Sequence, residues 1–214
     1  MDVEQLDIAG AVVFTPRQHR DSRGVFLEQL RSDVLTEALG HPLNLAQANT
    51  SVSARGVVRG IHFAQVPPGQ AKYVTCPRGA VLDYAVDLRI GSPTFGAHVT
   101  ALLDDVDRRA LYLAEGLGHA FVALSEEATV SYLCSTPFNS GREHGISVFD
   151  PDLDLSWPND VDLVLSDRDR AAPSLAEVRD AGLLPTLEEC EEFYGRLRAD
   201  GGRPSTANHA GLGQ

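Results

Sequence analysis

From Lys72 to Cys134 the chain is a succession of short apolar runs separated by turn residues, and this pattern restricts the fold more than any other feature. The runs are short, at 73–76, 79–88, 98–103, 110–113, 120–124 and 129–133. Pro77-Arg78-Gly79 and Gly91-Ser92-Pro93 punctuate them. Short strands at regular spacing with turn signals predict an all-β antiparallel sandwich or barrel. Period-two geometry places Val81, Asp83, Ala85 and Asp87 on one face of their strand. That face either points its two carboxylates into the barrel or is solvated.

The flanking segments complete the outline. Residues 5–14 read as a first strand, 21–24 as a turn and 25–30 as a second strand. Residues 32–40 read as a helix with a serine cap and a glycine stop. Residues 44–53 form a further strand, with Gln47 and Asn49 sharing a face that either lines a pocket or is solvated. Beyond Trp157 the character changes: Ser174 with Glu177 and Thr186 with Glu189 are capping-box pairs, predicting helices near 175–181 and 186–198. The expected organisation is one barrel over 1–174, helices packed on it over 175–198, and a Gly-rich disordered tail over 199–214.

Composition narrows the function classes. Of 214 residues, 43% are hydrophobic, sufficient for a core. The net charge of −12 argues against nucleic acid and anionic membranes, which need a basic patch absent here. A phosphate-bearing small molecule remains compatible, because a few arginines in one pocket suffice. The three cysteines, Cys76, Cys134 and Cys190, are far apart and odd in number, as expected of free thiols in a reducing compartment. Acidic residues near the N-terminus are unlike a secretory signal, and no apolar run is long enough to span a bilayer. The expected location is the cytoplasm.

The chemistry concentrates in residues 56–72, GVVRGIHFAQVPPGQAK. Here Arg59, His62 and Lys72 flank a Pro-Pro-Gly turn between two strands. A guanidinium forks onto phosphate, an imidazole exchanges protons near neutral pH, and an ammonium is a compact charge for an oxyanion. Lys72 is the only lysine among eighteen cationic side chains, which singles it out for a role that arginine cannot fill. Strict alternation puts Arg59 and His62 on opposite faces of one strand. Either Gly60 introduces a bulge, or one of the two side chains reaches round the strand end.

The segments DSRGVFLE (21–28), GVVRGIHF (56–63), GQAKYVTCPRGAVLDYAVDLRIGSPTFG (69–96), AEGLGHAFVALSE (114–126), SYLC (131–134) and LSDRD (165–169) resemble the dTDP-4-dehydrorhamnose 3,5-epimerase family. The resemblance runs from about residue 5 to 175. It implies a cupin-like jelly roll that epimerises dTDP-4-keto-6-deoxy sugars with no metal and no cofactor, in rhamnose or antibiotic deoxysugar biosynthesis. It assigns His62 as general base, Tyr132 as acid on the opposite face, Lys72 to the enolate oxygen and Asp169 to His62. His119 would lie beside the sugar. Nucleotide contacts carried over are Arg23, Phe26, Glu28, Gln47, Asn49 and Arg59, and Phe138 would bind substrate at the sugar end. The 23–28 segment is expected to reach the neighbouring site of a homodimer. Phe138, Leu117 and Ala120 depart from the family's usual Tyr, Phe and Gly, and are expected to bear on which carbons are inverted. Two rival readings are a metal-dependent cupin enzyme, for which His62 and His119 lack the further ligands of an HxH site, and a non-catalytic nucleotide-sugar binder.

Overall fold

The computed structural model describes residues 1–199; the expected tail over 199–214 otherwise lies outside the described residues. Strands β1 (Asp2–Gln5), β2 (Ala11–Thr15), β3 (Gln18–Asp21) and β4 (Gly24–Leu27) precede helix α1 (Ser32–Leu39). The body follows as β5 (Gln47–Ala54), β6 (Val58–Ala64), β7 (Lys72–Arg78), β8 (Ala80–Asp87) and β9 (His98–Asp104). It continues through β10 (Ala110–Leu113), β11 (Leu117–Ala123), β12 (Glu127–Cys134) and β13 (Glu143–Gly145). Three helices close the described chain: α2 (Asp167–Arg170), α3 (Leu175–Asp180) and α4 (Leu187–Ala199).

Two antiparallel sheets form a sandwich. One is six-stranded, ordered β1-β2-β10-β7-β12-β5, and the other five-stranded, ordered β13-β6-β11-β8-β9. Side chains from both sheets, among them Val12, Phe14, Leu111, Val130, Val81 and Phe121, meet in one core cluster. The outer face of the five-stranded sheet is covered too: Tyr84, Val86, Ala120 and Val122 pack under Ile146, Leu153, Leu165, Leu175 and Val178. A sheet apolar on both faces needs strands without alternation, and all seven residues of β11 are accordingly buried.

Three local expectations change. Residues 5–14 are two strands, because Gly10 turns the chain at φ +89° and a side chain there would meet the Ala114 Cβ at 2.6 Å. Helix α1 begins at Ser32 itself: Arg31 is the N-cap and makes no side-chain cap bond, while Gly40 closes the helix at φ 79° as expected. The face carrying Asp83 and Asp87 is not solvated; both carboxylates are fully buried. Asp87 is held by the Arg89 guanidinium at 2.8 Å and by the Ser92 and Thr94 hydroxyls, so it organises the 87–94 turn. The capping pairs at Ser174–Glu177 and Thr186–Glu189 form as read.

Candidate active site

The site is a cavity of about 160 Å³ lined from both sheets. Its local determinant is a bulge in β6. His119 pairs with His62 while Phe121 pairs with Arg59, so two steps along β11 oppose three along β6. The extra residue returns Arg59 and His62 to the same side, and both line the cavity. Only glycine fits between them: Gly60 has φ +122°, and an added Cβ would lie 2.5 Å from the His119 carbonyl oxygen and 2.6 Å from the Ala120 Cβ. The bulge alternative is the one the chain adopts.

Each histidine is oriented by a carboxylate. His62 Nε2 lies 2.7 Å from Asp169 Oδ1, leaving Nδ1 as the ring nitrogen available to a substrate. Asp169 comes from far along the chain, but residues 164–170 are laid beside β6. Val58 N–H donates to the Val164 carbonyl at 2.9 Å, and Ser166 caps α2 by accepting from the Asp169 amide. The Ser166 hydroxyl also donates to Asp169 Oδ2 at 3.0 Å. Burial alone would raise the Asp169 carboxyl, but hydrogen bonding and charge from His62, then Ser166 and Arg168, bring it below its ordinary value. His119 Nε2 lies 3.0 Å from both oxygens of Asp83. Burial pushes the Asp83 carboxyl up, against the pull of His119 and Lys72.

Lys72 is buried, and desolvation pushes its ammonium below the usual lysine range, opposed by Cys134, Glu143 and Asp83. No salt bridge engages Lys72 among the described residues, so its charge is not consumed by a direct carboxylate partner. Tyr132, on β12 in the opposite sheet from His62, has its phenol pushed up first by burial and also by Cys134 and Glu143, against Arg59. It holds its proton at neutral pH and can surrender it only to a strong base. Arg59 Nε donates to the Ser53 hydroxyl at 3.2 Å, which fixes the guanidinium.

Of the residues expected from sequence, His62, Lys72, Tyr132, His119, Gln47, Asn49, Arg59 and Phe138 line this one cavity. Asp169 stands behind His62. Arg23, Phe26 and Glu28 do not line it: they belong to the β3–β4 ribbon and its continuation, where Arg23 pairs with Asp21 and Phe26 is 69% exposed. Of the three departures only Phe138 reaches the cavity. Leu117 packs in the core between the sheets and Ala120 lies on the outer face of β11, so neither touches the sugar end as expected. Three lining residues had not been singled out: Gln70, Phe121 and Glu143. Glu143 Oε1 accepts from Gln70 Nε2 at 3.3 Å and from the Asn139 amide at 3.1 Å. Nothing in SGREHG marks a strand, and β13 spans three residues. Among the described residues no three His, Cys, Asp or Glu side chains are grouped as a metal site.

Residues 5–177 match the family model described as dTDP-4-dehydrorhamnose 3,5-epimerase. The chain is 56% identical over 198 residues to a dTDP-4-dehydrorhamnose 3,5-epimerase of Mycolicibacterium smegmatis, covering 92% of this chain and 98% of that one. It is 57% identical over 191 residues to a dTDP-4-dehydrorhamnose 3-epimerase of Streptomyces niveus, covering 89% and 92%. Its fold superposes with a TM-score of 0.88 on a 3'-monoepimerase from Streptomyces bikiniensis solved in complex with dTDP-quinovose, at 46% identity and covering 91% and 98%.

Proposed function

Since the chain belongs to the dTDP-4-dehydrorhamnose 3,5-epimerase family, and is therefore an epimerase of dTDP-4-keto-6-deoxyhexoses at carbon 3, carbon 5 or both, we propose that His62 and Tyr132 are its proton acceptor and proton donor. The observation that carries this assignment is their placement. His62 on the five-stranded sheet and Tyr132 on the six-stranded sheet line one cavity, with Lys72 and His119 between the same walls. A carbonyl at carbon 4 acidifies the neighbouring C–H bonds. His62 Nδ1 takes the proton, the C–H electrons form the enolate, and negative charge develops on the carbon 4 oxygen. Lys72, an ammonium in a desolvated pocket, stabilises that charge as it appears. Tyr132 then gives its proton to carbon from the other face and the carbonyl re-forms. Imidazolium and phenolate return to their starting states by proton exchange with water. No redox step occurs, so no cofactor enters the balance.

Arg59 is assigned to the pyrophosphate, Gln47 and Asn49 to the nucleotide, and Phe138 to the sugar end. Phe138 keeps the stacking area of an aromatic ring without a hydroxyl. The β3–β4 ribbon is proposed to insert Arg23, Phe26 and Glu28 into the neighbouring copy of a homodimer; an exposed Phe26 unused by its own cavity supports this. Light scattering that shows a monomer at all concentrations would refute that part. The expected location is the cytoplasm; no described helix is long and apolar enough to cross a membrane.

The experiment is solvent-hydrogen exchange. The protein with dTDP-4-keto-6-deoxyglucose in heavy water should place deuterium at carbon 3, and at carbon 5 if it inverts both. His62→Ala should abolish labelling while dTDP still binds; labelling that survives refutes the base assignment. Tyr132→Phe should lose roughly 10²–10⁴-fold in epimerised product.

A further inference from the structure

We infer that Glu115, which is outside the cavity, is a positioning residue that holds Lys72 in place through Ser135 and Ala71; the inference rests on the role of Lys72 proposed above. Lys72 is the first residue of β7 and the terminal pair of both of its ladders, opposite Leu113 of β10 and Cys134 of β12. Strand ends fray unless the chain beyond them is tied down, and beyond Lys72 lies the Pro67-Pro68-Gly69 turn. Apart from the local bond from the Gly69 N–H to the Gln65 carbonyl at 3.0 Å, the ties run to the chain after β12. Ser135 N–H donates to the Ala71 carbonyl at 3.0 Å, and Ala71 N–H donates to the Ser135 hydroxyl oxygen at 2.8 Å. The Thr136 hydroxyl donates to the Gly69 carbonyl at 2.8 Å, and Gln70 Nε2 donates to the Thr136 carbonyl at 3.1 Å.

Glu115 sets the direction of the central tie. The Ser135 hydroxyl donates to Glu115 Oε1 at 3.0 Å, which leaves the serine oxygen's lone pairs turned to the Ala71 amide. A carboxylate only 2% exposed is a costly acceptor where any hydroxyl would serve a surface turn. Its other oxygen, Oε2, is buried with no hydrogen-bond partner among the described residues, as is the hydroxyl of neighbouring Tyr112. The backbone of Glu115 is pinned as well, its carbonyl accepting the Tyr194 hydroxyl from α4. Glu115 therefore joins the β10–β11 turn, helix α4 and the two strands that carry Lys72 and Tyr132. It touches no substrate; it acts by fixing where the ammonium stands.

The test compares Glu115→Ala and Glu115→Gln, alone and combined with Lys72→Ala, using exchange kinetics and dTDP affinity on the full chain. Gln keeps the oxygen that accepts from Ser135, so it should retain kcat within about threefold. Ala should lower kcat roughly tenfold, within the range by which members of one hydrogen-bonded network couple, with KM and dTDP affinity unchanged. In the Lys72→Ala background, Glu115→Ala should cost nothing more in kcat. Ser135→Ala is the fallback if Glu115→Ala does not fold, and should give the same loss that vanishes without Lys72. A kcat loss that adds in full to that of Lys72→Ala, or a lowered Tm with kcat unchanged, overturns the inference. If Lys72→Ala alone leaves exchange intact, the mechanistic role of Lys72 fails instead.

Discussion

Asp169→Asn separates the charge of the carboxylate from its geometry. The present pair is a charge-assisted contact of 2.7 Å between His62 Nε2 and Asp169 Oδ1. In the asparagine variant the amide oxygen can keep this position, because its nitrogen can donate to the Ser166 hydroxyl oxygen now 3.0 Å from Oδ2. The tautomer with Nδ1 free is thus preserved, and what disappears is the stabilisation of the imidazolium that forms as His62 takes the proton. Hydrogen bonds to charged groups contribute about 1.5–3 kcal/mol, and about 1.4 kcal/mol is a factor of ten in rate. The expected loss in exchange at carbon 3 is therefore about 10- to 150-fold. Nucleotide affinity should change little, since Asp169 stands behind the base and not in the cavity wall. The assay is the initial rate of deuterium incorporation by NMR, with dTDP binding measured by calorimetry. Exchange within threefold of the parent protein, or a loss matched by an equal loss of dTDP affinity, would show that the His62–Asp169 pair does not act in proton transfer.

Three further outcomes are expected. Gly60→Ala places a Cβ 2.5 Å from the His119 carbonyl at a φ of +122°; strain of about 1–3 kcal/mol should lower Tm by roughly 2–12 °C and remove exchange activity even in the folded fraction, as thermal melts and kinetics would show. Asp83→Asn takes from His119 the charge of the carboxylate now 3.0 Å away and should lower kcat by at least about tenfold with the fold retained by circular dichroism. Glu115 has its carboxyl pushed up from the ordinary 4.5 to about 7 by burial. A raised folded value means that its contribution is complete below pH 4.5 and is lost as pH rises toward 7. Global stability should accordingly fall by about 3 kcal/mol across that window, and Glu115→Gln should flatten this slope in urea melts at a series of pH values.

Strands β7 to β12 were legible because turn residues bracket them, and helices α3 and α4 because their capping pairs are local. The site was legible only in part, for a physical reason. Arg59 and His62 could be identified as chemistry, yet alternation separated them; the missing information was which backbone Gly60 adopts, and that is decided by the approach of His119 and Ala120 from β11. Asp169 lies 107 residues from His62, so no spacing rule joins them, and the family resemblance supplied that pair. Asp83 was placed on the right face without the means to decide whether the face was wet. Glu143 carried no signal, since a three-residue strand has no period, and Gln70 lies in the connection before β7, where no alternation assigns a face. The departures at Leu117 and Ala120 looked equal to that at Phe138 in one dimension, whereas β11 points the first into the core and the second outward.

The charge arrangement explains how a protein of net charge −12 can receive a dTDP-sugar. Long-range repulsion between exposed carboxylates and the pyrophosphate is screened beyond about 10 Å in ordinary salt, so the cavity wall decides. Its one acid, Glu143, is committed to Gln70 and a backbone amide, and behind the lining Asp83 is committed to His119 and Asp169 to His62. The cations are not neutralised in return, for Lys72 has no salt bridge among the described residues and Arg59 is held by a neutral hydroxyl. Burial that depresses the lysine also strengthens its pull on a nascent enolate, because the same desolvation lowers the local dielectric. A guanidinium in its place would keep the charge but spread it over a plane, losing the compact ammonium that suits a single oxygen. Lys72→Arg is therefore expected to preserve dTDP binding and lose most exchange activity, and full activity in that variant would refute the argument from charge shape.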